Sequence, residues 1–207
     1  RIHPFCALRP RPERAPALSV PPYDVVTTDE AKKLAQNIPD SFFYVTRPEI
    51  GLTREEASDP DHQHSAARRA LDQLIREGSL IREEKPLYYV YRLIREGRAQ
   101  RGVVACFETA DYGTLIRTHE KTRPDKEEDR MRHIAALRAH DEPVFLLCRD
   151  FPEMVSFLNQ AEEKPPLYDF TAPDGVRHTL WSVPKTDALK DLLSHIPCTY
   201  IADGHHR

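Results

Sequence analysis

Two clusters of polar residues carry side chains from which a reaction could be built. The first is Asp203-Gly204-His205-His206-Arg207, directly after the apolar run Tyr200-Ile201-Ala202. Such a run reads as the end of a buried strand. Glycine lets backbone come close to a ligand. His and Arg bring donors for phosphate or carboxylate oxygens. Asp can hold a metal ion or orient a neighbouring imidazole. The same five residues also read as a plain polar turn. The second cluster is His119-Glu120-Lys121-Thr122-Arg123. It starts like the zinc-protease pattern HExxH, but Arg123 stands where the second metal ligand belongs, so that reading is rejected. A Glu beside a His on an irregular segment can still serve as a general base or a metal ligand. The competing reading is a solvated loop before a helix whose first turn is acidic.

Three further places could line a site. Tyr23-Asp24 follows Pro21-Pro22, which gives a rigid approach to a polar tip or to a turn. Arg47-Pro48-Glu49 follows an expected strand end, where site residues often sit. His62 and His64 are two residues apart on an expected helix. They point to different faces, make a poor chelate and read as surface residues. Trp181 lies in an alternating run and reads as packing.

The elements that must position these residues follow from periodicity and turn chemistry. A short strand is expected over residues 5–8, then a proline-rich stretch to Pro22. A helix capped by Thr28 or Asp29 is expected over about 29–38. The aromatic and β-branched run Ser41–Thr46 reads as strand. Residues 60–77 read as a helix with Ala67, Leu71, Leu74 and Ile75 on one face. Strands over 87–94 and 101–109 flank the hairpin turn Arg95-Glu96-Gly97-Arg98. Helices are expected over 127–140, 151–161 and 186–195. Strands are expected over 143–148 and 198–202, with a second hairpin (168–171 and 176–183) around Pro173-Asp174-Gly175. Hairpins interrupt the alternation of strands and helices, so the expected class is α+β, a mixed sheet with flanking helices. A subdomain boundary is expected near 110–125.

Composition narrows the function classes. The 207 residues are 40% hydrophobic and 30% charged, which describes a folded soluble domain rather than a disordered chain. The net charge of -3 exerts no global pull toward nucleic acid or acidic membranes. No apolar stretch approaches transmembrane length, and the N-terminus lacks an apolar signal core. The four cysteines are far apart and form no CxxC pair, so buried reduced thiols in a cytoplasmic protein are expected. Only 7 Gly accompany 18 Pro, which leaves little material for glycine-rich phosphate loops. GxGxxG, GxxxxGK[ST] and GxSxG are all absent.

These segments together resemble the domain-of-unknown-function 1015 family. The matching residues are Pro4-Phe5 with Ala7-Leu8-Arg9-Pro10, Pro21-Pro22-Tyr23-Asp24-Val25-Val26, Ser41-Phe42, Thr46-Arg47-Pro48-Glu49 and Tyr89-Val90-Tyr91-Arg92. They continue with His119-Glu120-Lys121-Thr122, Asp129-Arg130 and Tyr200 to Arg207. The resemblance implies that the sequence is the N-terminal portion of a longer protein, truncated before a helix that follows Arg207. Its final motif resembles the phosphate-contacting loop of the ParB/sulfiredoxin-like superfamily, which includes free-serine kinases. That implies a ParB/sulfiredoxin-like core and a nucleotide (ADP or ATP) with Mg as cofactor, held by Asp203, Gly204, His205, His206 and Arg207. The sulfiredoxin cysteine is missing from the motif, so peroxiredoxin repair is not expected. The leading expectation is a phosphotransferase for a small hydroxyl compound such as serine. Glu120, His119 and Asp203 would be catalytic, and Tyr23, Asp24, Arg47 and Thr122 would bind substrate. The alternatives are a non-catalytic nucleotide-gated regulatory module and a metal-dependent hydrolase built on His119, Glu120, His205 and His206. Neither a membrane nor a nucleic acid is an expected partner.

Overall fold

The computed structural model describes residues 1–207. Its strands are β1 (Ile2–His3), β2 (Leu8–Pro10), β3 (Leu80–Arg82), β4 (Leu87–Arg95), β5 (Arg98–Val104), β6 (Cys106–Phe107), β7 (Ile116–Arg117), β8 (Phe145–Leu147), β9 (Tyr168–Thr171), β10 (Arg177–Pro184) and β11 (Thr199–Asp203). Its helices are α1 (Ala15–Leu18), α2 (Thr28–Ala35), α3 (Phe43–Thr46), α4 (Pro60–Arg76), α5 (Pro124–Leu137), α6 (Pro152–Glu162) and α7 (Asp187–Ser194). The class is α+β, as expected, with several small sheets in place of one mixed sheet. The chain divides into two compact units, each built from three stretches of sequence.

The first unit comprises 1–16, 82–119 and 146–202. Its frame is the antiparallel sheet β5-β4-β10-β9. The β4–β5 hairpin turns on Glu96 and Gly97, both at positive φ (49° and 76°). Two left-handed residues give the twist a tight hairpin needs, and glycine takes one of them without strain. Alternation along β4 and β10 sends Tyr88, Val90 and Trp181 inward. There they meet Met154, Leu158 and Ala161 of α6 and Leu189 and Leu193 of α7. Trp181 Nε1 donates to the Lys164 carbonyl at 2.9 Å, so the indole is buried without an orphaned donor. Arg92 lies over the Trp181 ring and pairs with Glu162 at 2.6 Å. A shorter parallel pair sets Thr199 and Tyr200 of β11 opposite Ile116 and Arg117 of β7.

The second unit comprises 17–81, 120–145 and 203–207. It is helical, with α3 and α5 both packed on α4. Thr27 and Glu30 close a capping box at the start of α2, a device worth about 1 kcal/mol. Asp59 caps α4, with Pro60 in its first turn. Ala67, Leu71 and Leu74 form the buried stripe of α4. Ala31 and Ala35 of α2 close on Phe43.

Several sequence expectations need correction. Ser41–Thr46 contains the one-turn helix α3 rather than a strand. Phe43, Val45 and Thr46 are all buried there, so its aromatic and β-branched content follows from burial rather than extension. Residues 5–8 form only a single antiparallel bridge, Phe5 to Leu87, before β2 begins at Leu8. Helix α5 starts at Pro124, three residues before the expected Glu127, because Pro is tolerated in a first helical turn. The four thiols are free as expected, but none is buried, and Cys106 and Cys148 are exposed. His64 is 7% exposed and belongs to the core, not the surface.

Candidate functional site

The turn after β11 gathers the first site. Asp203 is exposed, and its Oδ1 accepts the Gly204 N–H at 2.8 Å. Gly204 takes φ +86°, and a Cβ there would lie 2.6 Å from Arg207 Nη1 and 3.3 Å from the Val144 Cα. Only glycine lets the chain turn that tightly against its neighbours. The turn closes as Arg207 N–H donates to the Gly204 carbonyl at 3.0 Å.

The two motifs expected from sequence meet in this unit. His205 is buried, and its Nδ1 lies 3.9 Å from Oε2 of the largely exposed Glu120. His206 Nε2 accepts the Arg123 N–H at 3.3 Å, which leaves the neutral ring's proton on Nδ1. Segments 120–123 and 203–206 therefore run side by side. Thr122 is engaged locally, its hydroxyl donating to Glu127. His119 is the last residue of the first unit in this stretch, directly before Glu120.

Behind the turn lies a network that sequence reasoning missed. Arg207 is 9% exposed and donates from Nη2 to Glu142 at 2.5 Å. Its Nε is buried with no hydrogen-bond partner. The other carboxylate oxygen of Glu142 accepts the Tyr23 N–H at 2.9 Å. The Tyr23 ring carries two cations, Arg130 at 4.2 Å and Arg207 at 5.6 Å from its centroid. Burial pushes the Tyr23 phenol up, and Asp24 and Glu142 add to the shift against the two arginines. Asp24 itself is exposed. Arg130 is held by both N–H groups it presents to Asp129. Burial alone would raise the Asp129 carboxyl, but Arg130 holds it below the ordinary range. Asp129 also lies 3.6 Å from His64 Nε2. His64 packs edge-on against His133, whose Nε2 is 2.9 Å from Asp141.

Arg47 was expected to take an acceptor carboxylate, and its geometry assigns it other work. It donates to Glu49, to the Tyr23 and Val26 carbonyls and to the Thr28 hydroxyl, at 2.6 to 2.8 Å. Four of its five N–H groups are thereby engaged within the protein. Arg47 pins the segment that carries Tyr23 and is not available as a carboxylate clamp.

No set of three or more His, Cys, Asp or Glu side chains is gathered to hold a metal ion. The His119, Glu120, His205 and His206 hydrolase centre therefore has no ligand cluster to support it. No helix is long and apolar enough to cross a membrane.

The fold and site define an α+β protein whose second unit presents a glycine turn backed by buried arginines. A family model described as a protein of unknown function (DUF1015) matches residues 2–207, and the chain belongs to that family. No curated protein and no solved structure matches the chain.

Proposed function

We propose that the protein is a nucleotide-binding phosphotransferase acting on a small hydroxyl compound, with a ParB/sulfiredoxin-like phosphate turn at Asp203–Arg207. The reading rests on one observation above others, the approach of Glu120 to His205. A carboxylate that can receive a proton stands beside the turn that would hold phosphate.

Two features of the turn fit a phosphate group. Gly204 has no Cβ to stand between its backbone and the Arg207 guanidinium, and Arg207 has a buried Nε–H without an acceptor. Gly204, His205, His206 and Arg207 would hold the phosphates of ADP or ATP. Asp203, exposed at the mouth of the turn, would contact magnesium, whose chemistry is to neutralise phosphate charge. The acceptor hydroxyl oxygen would form the new P–O bond as the bond to the departing nucleoside phosphate breaks. Its proton would pass to Glu120. Tyr23, Asp24 and Thr122 would line the acceptor's approach. Arg47 is a positioning residue that fixes Tyr23.

A nucleotide-gated regulatory module is the second reading, and one observation favours it. Arg207 already pairs with Glu142, which also holds the Tyr23 N–H. An arriving phosphate would displace Glu142 and free both segments, which is how a switch behaves. A thermal-shift series with ADP, ATP and magnesium, followed by a transfer assay on hydroxyl amino acids, tests both. Stabilisation with transfer supports the kinase, and stabilisation without transfer supports the switch. No stabilisation by any nucleotide defeats both.

A further inference from the structure

The second unit holds a groove of about 660 Å³ on the outer surface of α4 and α5, away from the Asp203–Arg207 turn in sequence and lining. Five of its eight lining residues are exposed, so it is an open depression rather than an enclosed cleft. Arg68 and Arg69 from α4 and Arg132 from α5 line it, together with Ala135, Ala136 and the buried His64. Asp61 is the one carboxylate in the lining. Three guanidinium groups face one carboxylate in the lining, a positive excess that Asp72 and Glu128, the partners of two of them, reduce.

The three arginines differ in how they are engaged. Arg68 pairs with Asp72 at 2.9 Å and donates to the Leu137 carbonyl. Arg132 pairs through Nε with Glu128 at 2.8 Å, which leaves its terminal N–H groups for another acceptor. Arg69 makes no hydrogen bond or ion pair, and Glu56 lies within range of its charge. The two pairs that do exist are partly exposed i, i+4 contacts, of the kind that contribute little and exchange readily. Ser65 adds a hydroxyl one turn before Arg69.

We propose that this groove is a second ligand site, for a small molecule bearing a phosphate or diphosphate group. Arg69 and Arg132 supply the forked donors, and Ser65 a further hydrogen bond. Planar forks on two facing helices suit the several oxygens of a phosphate better than one carboxylate. The small side chains of Ala135 and Ala136 leave room for the ligand body beside its charged head.

Calorimetric titration of the full chain with inorganic pyrophosphate tests the assignment. Arg69→Ala and Arg132→Ala lie on exposed helix positions and leave the fold intact. Each is expected to weaken pyrophosphate binding about tenfold, the loss of one charge-assisted contact. Glu128→Gln, which removes the competing carboxylate, is expected to tighten it. Absence of binding at about 10 mM, a bound weaker than most metabolite sites, would overturn the proposal. So would binding that persists unchanged in the Arg69→Ala/Arg132→Ala double variant. Binding lost in His206→Ala but kept in that double variant would place the anion at the turn instead.

Discussion

Glu120 and His205 stand 3.9 Å apart, carboxylate to imidazole, although one precedes α5 and the other follows β11. The pair joins the two segments in which chemistry was legible from residue types alone. What stands behind it, the Arg207–Glu142–Tyr23 contact set, determines whether the turn keeps its shape.

Removing Glu142 leaves Arg207 as a buried cation with no acid partner. The two side chains are 9% and 12% exposed, so solvent cannot compensate. Breaking one partner of a buried pair costs about 3 kcal/mol or more. Glu142→Ala is therefore expected to lower the unfolding free energy by that amount, read as a lower denaturant midpoint with an unchanged m-value. A loss below about 0.5 kcal/mol, the scale of a surface pair, would show the contact to be loose.

Gly204 has two reasons to be glycine, its φ of +86° and its closeness to Arg207 and the Val144 backbone. Strain at a left-handed position is about 1–2 kcal/mol, and the contact adds to it. Gly204→Ala is expected to destabilise the protein by at least this much and to abolish nucleotide binding. A folded Gly204→Ala variant that binds nucleotide as the parent does would remove the turn from the site.

Arg47→Lys keeps the charge and loses the fork. One ammonium cannot replace donors aimed at Glu49, two carbonyls and Thr28. Amide exchange over Tyr23–Thr28 is expected to accelerate in Arg47→Lys while α6 and α7 are unaffected. Unchanged protection over that segment would show that Arg47 does not hold it.

His64 and Asp141 make stability depend on pH in two windows. Burial, with His133 as a like-charged neighbour, lowers the His64 pKa below its ordinary value. The unfolded chain then binds a proton that the folded chain refuses, so stability is full above about pH 6.5 and falls as pH drops below it. For Asp141, burial alone would raise the carboxyl, but the hydrogen bond with His133 holds it below the ordinary range. Its contribution is full above about pH 4 and is lost as pH falls further. Denaturation midpoints measured from pH 8 to 3 should show both declines. His64→Gln is expected to flatten the upper one and leave the lower; an unchanged upper decline would remove His64 as its source.

Much of the frame was readable because it obeys local rules. The Glu96-Gly97 and Asp174-Gly175 turns, the alternation around Trp181 and the stripe of α4 each announce themselves within a dozen residues. Ser41–Thr46 misled because burial on several sides selects the same residues as a strand does. Asp203–Arg207 and His119–Thr122 stood out by residue type. Arg130 and Glu142 did not, since a single charged residue on a helix or before a proline gives no hint of a partner distant in sequence. His64 was misplaced for the same reason, as its burial depends on His133 of another helix.

The central claim is that the Asp203–Arg207 turn holds nucleotide phosphates beside Glu120. Its most direct test is an NMR titration of the full chain with magnesium ADP, read at the Gly204–Arg207 amides and the His205 and His206 rings. Saturable shifts centred on those residues, with Glu120 and Tyr23 following, are the expected result. Saturation of the protein with no movement at Gly204–Arg207, or no binding of the nucleotide, would contradict it.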